Sequence, residues 1–276
     1  MALIPAHYID CVVALGIDAP DGKPSWIASG FLYGHRAATK DTNHNGYHVF
    51  LATNRHVVQG HSRLHLRFNP QGTSEAKAYE LILVDPNGKL HYSGHSDPKV
   101  DVVTVPINFS KLQKDGIQAK FFHNDVHAAP VPRMKEIGVA EGDFVYVLGF
   151  PMGMVGEKRN AVIVRSGSIA RIRDTLADQN PTFLLDLLIF PGNSGGPVFL
   201  KPELTSITGT QPQQQARLIG IVQSYVPYQD TAVSCQTGRP RIVFEENTGL
   251  ATAYPIDFVD QTIATHLKKL EPTETC

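Results

Sequence analysis

Between turn signals the chain repeats short apolar or alternating runs. In the first half these are "DCVVALGI", "WIASGFLYG", "YHVFLATN", "RLHLRF", "ELILV" and "DVVTVPI". The second half adds "DFVYVLGF", "NAVIVRSGSIARI", "TFLLDLLIF", "RLIGIVQSY" and "GLATAYPI". Runs of this length, rich in Val, Ile, Phe and Tyr and closed by Gly, Pro, Asn or Asp, read as strands. Many short strands without intervening helices predict sandwiches or barrels. A different period appears in "PIDFVDQTIATHLKKL", where Ile256, Val259, Ile263, Leu267 and Leu270 recur at steps of three and four. That spacing predicts a helix, with Asp257 able to cap its start and Lys268 and Lys269 complementing the dipole at its end. The helix is expected to pack back on the second half.

One stretch breaks the rhythm. "HNDVHAAPVPRMKEIG", His123 to Gly138, carries two prolines and mixed polarity, which suits a connector draped over the surface. It divides the chain into a β unit over 1–125, a linker over 126–137, a second β unit over 138–255, and a helix with tail over 256–276.

Composition narrows the class. Of 276 residues, 42% are hydrophobic and 18% charged, which fits a globular protein with a sizeable core. The formal net charge of −1 and the lack of a basic run give no reason to expect nucleic acid. No uncharged apolar run is long enough for a membrane helix. The N-terminal "MALIPAHYIDCVVAL" lacks the basic start of a secretory signal. Three cysteines, Cys11, Cys235 and Cys276, are too few and too scattered for a disulfide framework or metal-ligand spacing. A reducing, cytoplasmic setting is the simpler expectation.

The candidate chemistry begins at "FPGNSGGPVF", Phe190 to Phe199. A serine hydroxyl needs a base to take its proton, and donors aimed at the oxyanion it generates. Gly192, Gly195 and Gly196 let the backbone turn tightly around Ser194 and present successive N–H groups. "GNSGG" also fits the nucleophile elbow of α/β-hydrolases, which requires a helix after the serine and a histidine downstream of it. Here Pro197 and Pro202 oppose a helix, and His266 is the sole downstream histidine, so the elbow is excluded. Upstream, "FLATNRHVVQG" puts His56 just after a strand-like run, and "DPKVDVVTVPI" puts Asp101 at the mouth of another. A carboxylate there can hold an imidazole in its productive tautomer.

With these three in the order His, Asp, Ser, the chain resembles a trypsin-like (chymotrypsin-fold) serine protease, closest to the HtrA/Deg type of peptidase domain. "TNRHVV", "DVVTVPI" and "PGNSGGPV" carry the resemblance, supported by "VLGFPMG" and "GLATAYPIDFV", over roughly residues 8 to 268. It implies an all-β fold of two six-stranded antiparallel β-barrels with a C-terminal helix and the active site between the barrels. It also implies Ser194 as nucleophile, His56 as general base and acid, and Asp101 as the orienting carboxylate. The turn Gly192, Asn193, Ser194 would supply the oxyanion hole, with the N–H groups of Gly192 and Ser194 as donors. Leu188 would lie at the S1 floor and favour an apolar P1 side chain. Gln223, Ser224 and Tyr225 would form the edge that pairs with substrate backbone, with Tyr225 narrowing the pocket.

Departures matter as well. Val57 stands where secreted digestive relatives carry a cysteine, and Asn193 where they carry an aspartate that pairs with a freed N-terminus. A zymogen switch of that kind is therefore not expected, nor is the PDZ domain of HtrA enzymes. The resulting expectation is an endopeptidase acting on protein or peptide substrates without metal or organic cofactor. Its competitor is a latent protease-fold binding module that a protein activator switches on.

The remaining candidates carry bland readings. His61 and His65, His91 and His95, and His123 and His127 are each four apart, a spacing that suits metal only on a helix. Asp97 is the fallback triad acid but sits in a "SDPK" turn. Trp26 and Cys11 are expected in the core, and Cys276 could crosslink chains.

Overall fold

The computed structural model describes residues 4–37, 46–72, 74–203 and 207–270; Cys276 and the end of the tail lie outside the described residues. The apolar runs of the first half become β1 (Val12–Asp18), β2 (Pro24–Arg36), β3 (Tyr47–Thr53), β4 (Arg63–Phe68), β5 (Lys77–Ile82) and β7 (Val103–Pro106), and two short strands outside those runs, β6 (Ser93–Gly94) and β8 (Phe122–His123), join them. Those of the second half become β9 (Phe144–Gly149), β10 (Ile163–Arg171), β11 (Phe183–Asp186), β13 (Leu218–Val233) and β14 (Pro240–Pro255), with β12 (Pro197–Leu200) added directly after the serine turn.

The second unit is a closed barrel in the order β10-β11-β14-β13-β12-β9. Its interior is filled by Val145, Val147, Ile169, Phe183, Leu185, Val198, Ile219 and Val222, none more than 1% exposed. The first unit is an eight-stranded sheet, β5-β4-β1-β2-β3-β7-β6 with β8 added in parallel beside β2. It wraps its own core of Val13, Leu15, Leu32, Leu51, Leu64 and Val103. No pairing between β5 and β6 closes it among the described residues, so a half-barrel stands where a closed six-stranded one was expected. The reason is local: between them the chain makes only one bridge, Val84 to Leu90, and β6 is two residues long.

A third apolar cluster joins the units, with Tyr8, Phe31, Tyr33, Phe50 and Phe122 meeting Leu148, Phe150, Phe199 and Tyr254. The connecting segment is only partly at the surface: Ala128 enters this seam, and Ala129 and Met134 enter the core of the second unit. Ala128, Ala129 and Met134 are buried, and Ala129 N–H and Leu218 N–H bond to Leu218 O and His127 O at 2.8 and 2.9 Å. A short helix, Val131–Glu136, follows Pro130, whose fixed φ suits the position before a helix.

The C-terminal helix runs Asp257–Leu270, as its period predicts, but it docks across the seam on the first unit. Tyr33 Oη donates to Asp260 Oδ1 at 3.0 Å, His95 Nε2 bonds Gln261 Oε1 at 2.8 Å, and Ser93 Oγ pairs with His266 Nδ1 at 2.8 Å. Asp257 accepts Val131 N–H at 2.9 Å and so serves the start of the other helix.

Burial at this seam raises the Asp260 carboxyl to about 6, with the nearby Asp257 charge adding to the rise and the Tyr33 hydroxyl opposing it. The folded chain therefore holds a proton that the unfolded chain, near 3.9, has already released. Stability from this group is full below about pH 4 and falls as pH rises through about 6, by about 3 kcal/mol in total. His127 works in the opposite sense: burial lowers it to about 4, so its contribution is lost as pH falls from 6.5. Asp260→Asn keeps the acceptor for Tyr33 and removes the ionisation. Its melting temperature should exceed the wild type's by several degrees at pH 7.5 and match it near pH 4, as thermal melts at the two pH values will read.

Candidate active site

His56 lies in a one-turn helix, Arg55–Val58, that begins where β3 ends. Buried Val57 and Val58 anchor that turn in the first core and leave the imidazole half exposed. Asp101 precedes β7 and meets it twice. His56 Nδ1 and Asp101 Oδ2 are 2.6 Å apart, and His56 backbone N–H donates to Asp101 Oδ1 at 2.9 Å. The Asn54 amide and Arg55 N–H both hold the Asp101 carbonyl, at 2.8 and 3.3 Å. Asp97 instead accepts Lys99 N–H within its own turn, so Asp101 is the histidine's partner.

Ser194 sits in the turn between β11 and β12, and that turn is held against the histidine's loop. Ser29 N–H donates to Ser194 O at 3.0 Å, and Thr53 Oγ1 donates to Ser29 O at 2.9 Å. Gly195, at φ 81°, packs into this junction so closely that a Cβ would lie 2.2 Å from Ser29 O and 2.4 Å from Thr53 Oγ1. Only glycine fits there. No hydrogen bond joins Ser194 Oγ to His56 Nε2 among the described residues; contacts of this kind commonly tighten when substrate binds.

The backbone of the turn is ordered by carbonyls facing inward. Met152 N–H holds Pro191 O at 2.6 Å. A trans peptide points its N–H opposite its carbonyl, so Gly192 N–H faces away from that anchor. Gly192 O accepts the Ser29 hydroxyl at 2.6 Å. Gly192 takes φ 101°, and a Cβ on it would lie 2.4 Å from Phe150 O. The N–H groups of Gly192 and Ser194 have no partner among the described residues, whereas Asn193 N–H donates to Phe190 O at 3.0 Å. Asn193 N–H is thus spent within the turn and is not one of its open donors. Its fully buried side chain accepts Phe190 N–H at 3.0 Å and closes the turn from within.

Gly195 N–H and Val222 N–H exchange bonds with Val222 O and Gly196 O, at 3.0 and 2.9 Å, placing the next residues of β13 beside the serine turn. β12 pairs β13 only through Leu218–Ile221, so among the described residues Gln223, Ser224 and Tyr225 keep a free edge while β14 covers the other side. Tyr225 pairs with Ala251, and its hydroxyl donates to Glu245. Leu188 is 41% exposed between buried Leu187 and Ile189.

Several contributors left no mark in the apolar pattern. Ser29 is a fully buried polar residue inside β2, and Met152 lies at φ 54° in the loop after β9. β13 and β14 continue into a ribbon reaching Val233 and Pro240, which the weak alternation of "PYQDTAV" and "RIVFEEN" does not predict. The histidine pairs find ordinary partners: His65 bonds Asp18 at 2.8 Å, and His127 Nδ1 accepts His123 N–H at 2.8 Å. Among the described residues no three His, Cys, Asp or Glu converge as metal ligands, and no helix is long and apolar enough to cross a membrane.

Two packed β units, a His–Asp pair and a glycine-framed serine turn define a chymotrypsin-like peptidase fold. The family model for the trypsin-like peptidase domain matches residues 28–203, and the chain belongs to that family. It is 26% identical over 189 residues to a probable periplasmic serine endoprotease DegP-like of Marinomonas sp. (strain MWYL1), a match covering 67% of this chain. The match spans about 30% of that relative's length. Among solved structures, the HtrA-type protease AlgW with decapeptide aligns over 95% of this chain and 66% of its own, at 18% identity and TM-score 0.48. The MamO protease domain from Magnetospirillum magneticum, apo form, aligns over 94% and 97%, at 16% identity and TM-score 0.45.

Proposed function

We propose that the protein is a serine endopeptidase that cleaves protein or peptide substrates through an acyl-enzyme. The observation that carries this is the two-point His56–Asp101 contact beside a serine turn whose Gly192 and Ser194 N–H groups are unengaged. Ser194 Oγ attacks the scissile carbonyl while His56 Nε2 takes its proton. Asp101 keeps the Nδ1 proton in place and stabilises the imidazolium. The oxyanion is received by the two free N–H groups. His56 then returns the proton to the leaving amine, and water repeats the sequence to release the acid.

The substrate backbone is taken to extend along Gln223, Ser224 and Tyr225 by strand addition. Latency through a collapsed hole is the competing reading. The inward anchoring of Pro191 O and Gly192 O speaks against it. The test is rapid labelling of purified protein by a fluorophosphonate probe together with hydrolysis of unfolded casein. Folded protein that neither labels nor cleaves, and that does both once a second protein is added, would sink the reading in favour of the latent module.

A preference for small or apolar P1 side chains rests on Leu188. Leu188→Asp places a carboxylate at the same exposed position, where it can stay charged. Profiling with a peptide library should show P1 moving from aliphatic towards Lys and Arg by about tenfold, the factor that about 1.4 kcal/mol from a charge-assisted hydrogen bond would give. An unchanged profile would remove Leu188 from the pocket.

A further inference from the structure

Ser29 is a buried polar side chain beside the serine turn that the catalytic scheme leaves unused. It lies inside β2, on the first unit, and is 0% exposed. A buried hydroxyl has to be satisfied on both sides, and this one is satisfied by two turns of the other unit. Its hydrogen goes to Gly192 O at 2.6 Å, and its lone pair accepts Phe150 N–H at 2.9 Å. Its own N–H goes to Ser194 O at 3.0 Å and its own carbonyl receives Thr53 Oγ1 at 2.9 Å. All four polar connections of one residue thus converge on the serine turn, the loop behind it and the strand leading to His56.

We propose that Ser29 is a positioning residue that sets the oxyanion turn and makes its geometry depend on the docking of the first unit against the second. This rests on the peptidase reading above. The physical reason is the planarity of the peptide. Gly192 can rotate freely at φ and ψ, so the Pro191–Gly192 and Gly192–Asn193 peptides are the two that could flip and turn a carbonyl into the hole. Met152 N–H pins the first. The second is pinned by the Ser29 hydroxyl on its carbonyl and by Phe190 O on its N–H. Because the same hydroxyl holds Phe150, it also ties the 150–153 loop, which carries the Met152 donor, to the serine turn. Remove the hydroxyl and both pins weaken together, with Gly192 O left buried and without its donor.

Ser29→Ala tests this. With the fold intact by circular dichroism, kcat on a peptide substrate should fall about ten- to a hundredfold, and KM should stay within about twofold. Affinity for a tripeptide aldehyde, whose adduct places an oxyanion in the hole, should fall by a similar factor. Affinity for the matching tripeptide acid should not change. Loss of stability alone would move neither ratio. Amide exchange at Asn193 and Gly195, the two turn N–H groups held by hydrogen bonds, should also quicken in the variant while β9 and β13 hold. Wild-type kcat and aldehyde affinity in a folded Ser29→Ala enzyme overturn the proposal. If that variant does not fold, Ser29→Cys keeps a weaker donor at similar volume and should lose about fivefold in kcat, and wild-type kcat there is equally fatal. If the wild type itself neither labels nor cleaves, the peptidase reading fails. Exchange at the turn then decides alone: quickened exchange upholds the clamp and unchanged exchange overturns it.

Discussion

Ser194→Ala should abolish fluorophosphonate labelling and lower kcat/KM on a peptide substrate by about 10⁵- to 10⁶-fold, without lowering stability. The residual rate should not reach zero, since the hole and the substrate edge remain and are worth about 10³-fold over water. The substitution removes one oxygen that makes no hydrogen bond within the described structure, so no buried partner is orphaned. Thermal melts should therefore overlay the wild type's. The measurement is a paired one, active-site labelling and burst kinetics on matched preparations. A variant that retains even a hundredth of the wild-type rate would show that another group is the nucleophile.

Asp101→Asn is expected to cost about 10⁴ in kcat, more than its modest change in shape suggests. The carboxylate accepts twice from His56, from the backbone N–H on Oδ1 and from the ring Nδ1–H on Oδ2. An amide can keep only one of these. If its oxygen stays with the backbone N–H, its NH₂ faces Nδ1 and selects the tautomer with hydrogen on Nε2. That imidazole cannot take a proton from Ser194. The expected signature is loss of kcat with KM little changed and with rate recovering as pH rises, as hydroxide substitutes for the missing base. A pH–rate profile parallel to the wild type's would contradict this assignment. Asp101→Ala should be as slow without selecting a tautomer, which separates orientation from charge.

The active-site sequence was legible to different depths. His56 could be read because it follows an apolar run, Asp101 because it precedes one, and Ser194 because its glycine-framed turn falls between two. The structure adds the His56–Asp101 contact and the choice of Asp101 over Asp97, since only Asp101 faces the imidazole. Asn193 could be read only as a member of the serine turn. Which way its peptide points is a dihedral matter, decided by Phe190 O and not by composition. Ser29 was silent, because a serine within an apolar strand looks the same whether it is merely tolerated or doubly bonded.

What the sequence by itself determined is the local grammar. Apolar and alternating runs placed most of the strands, a three-and-four period placed the C-terminal helix, and glycine spacing marked the serine turn, where Gly192 and Gly195 take positive φ. Those signals arise within a few residues and survive without knowledge of partners. Tertiary structure alone decided what those elements touch. The helix crosses to the first unit because Asp260, Gln261 and His266 find their partners in Tyr33, His95 and Ser93 there. The first sheet stays open among the described residues because β6 is too short to pair onward. The connector is anchored because Ala128 enters the seam between the units and Ala129 and Met134 enter the core of the second. Each of these depends on residues distant in the chain, and chain-closure entropy leaves no trace of such pairings in local pattern.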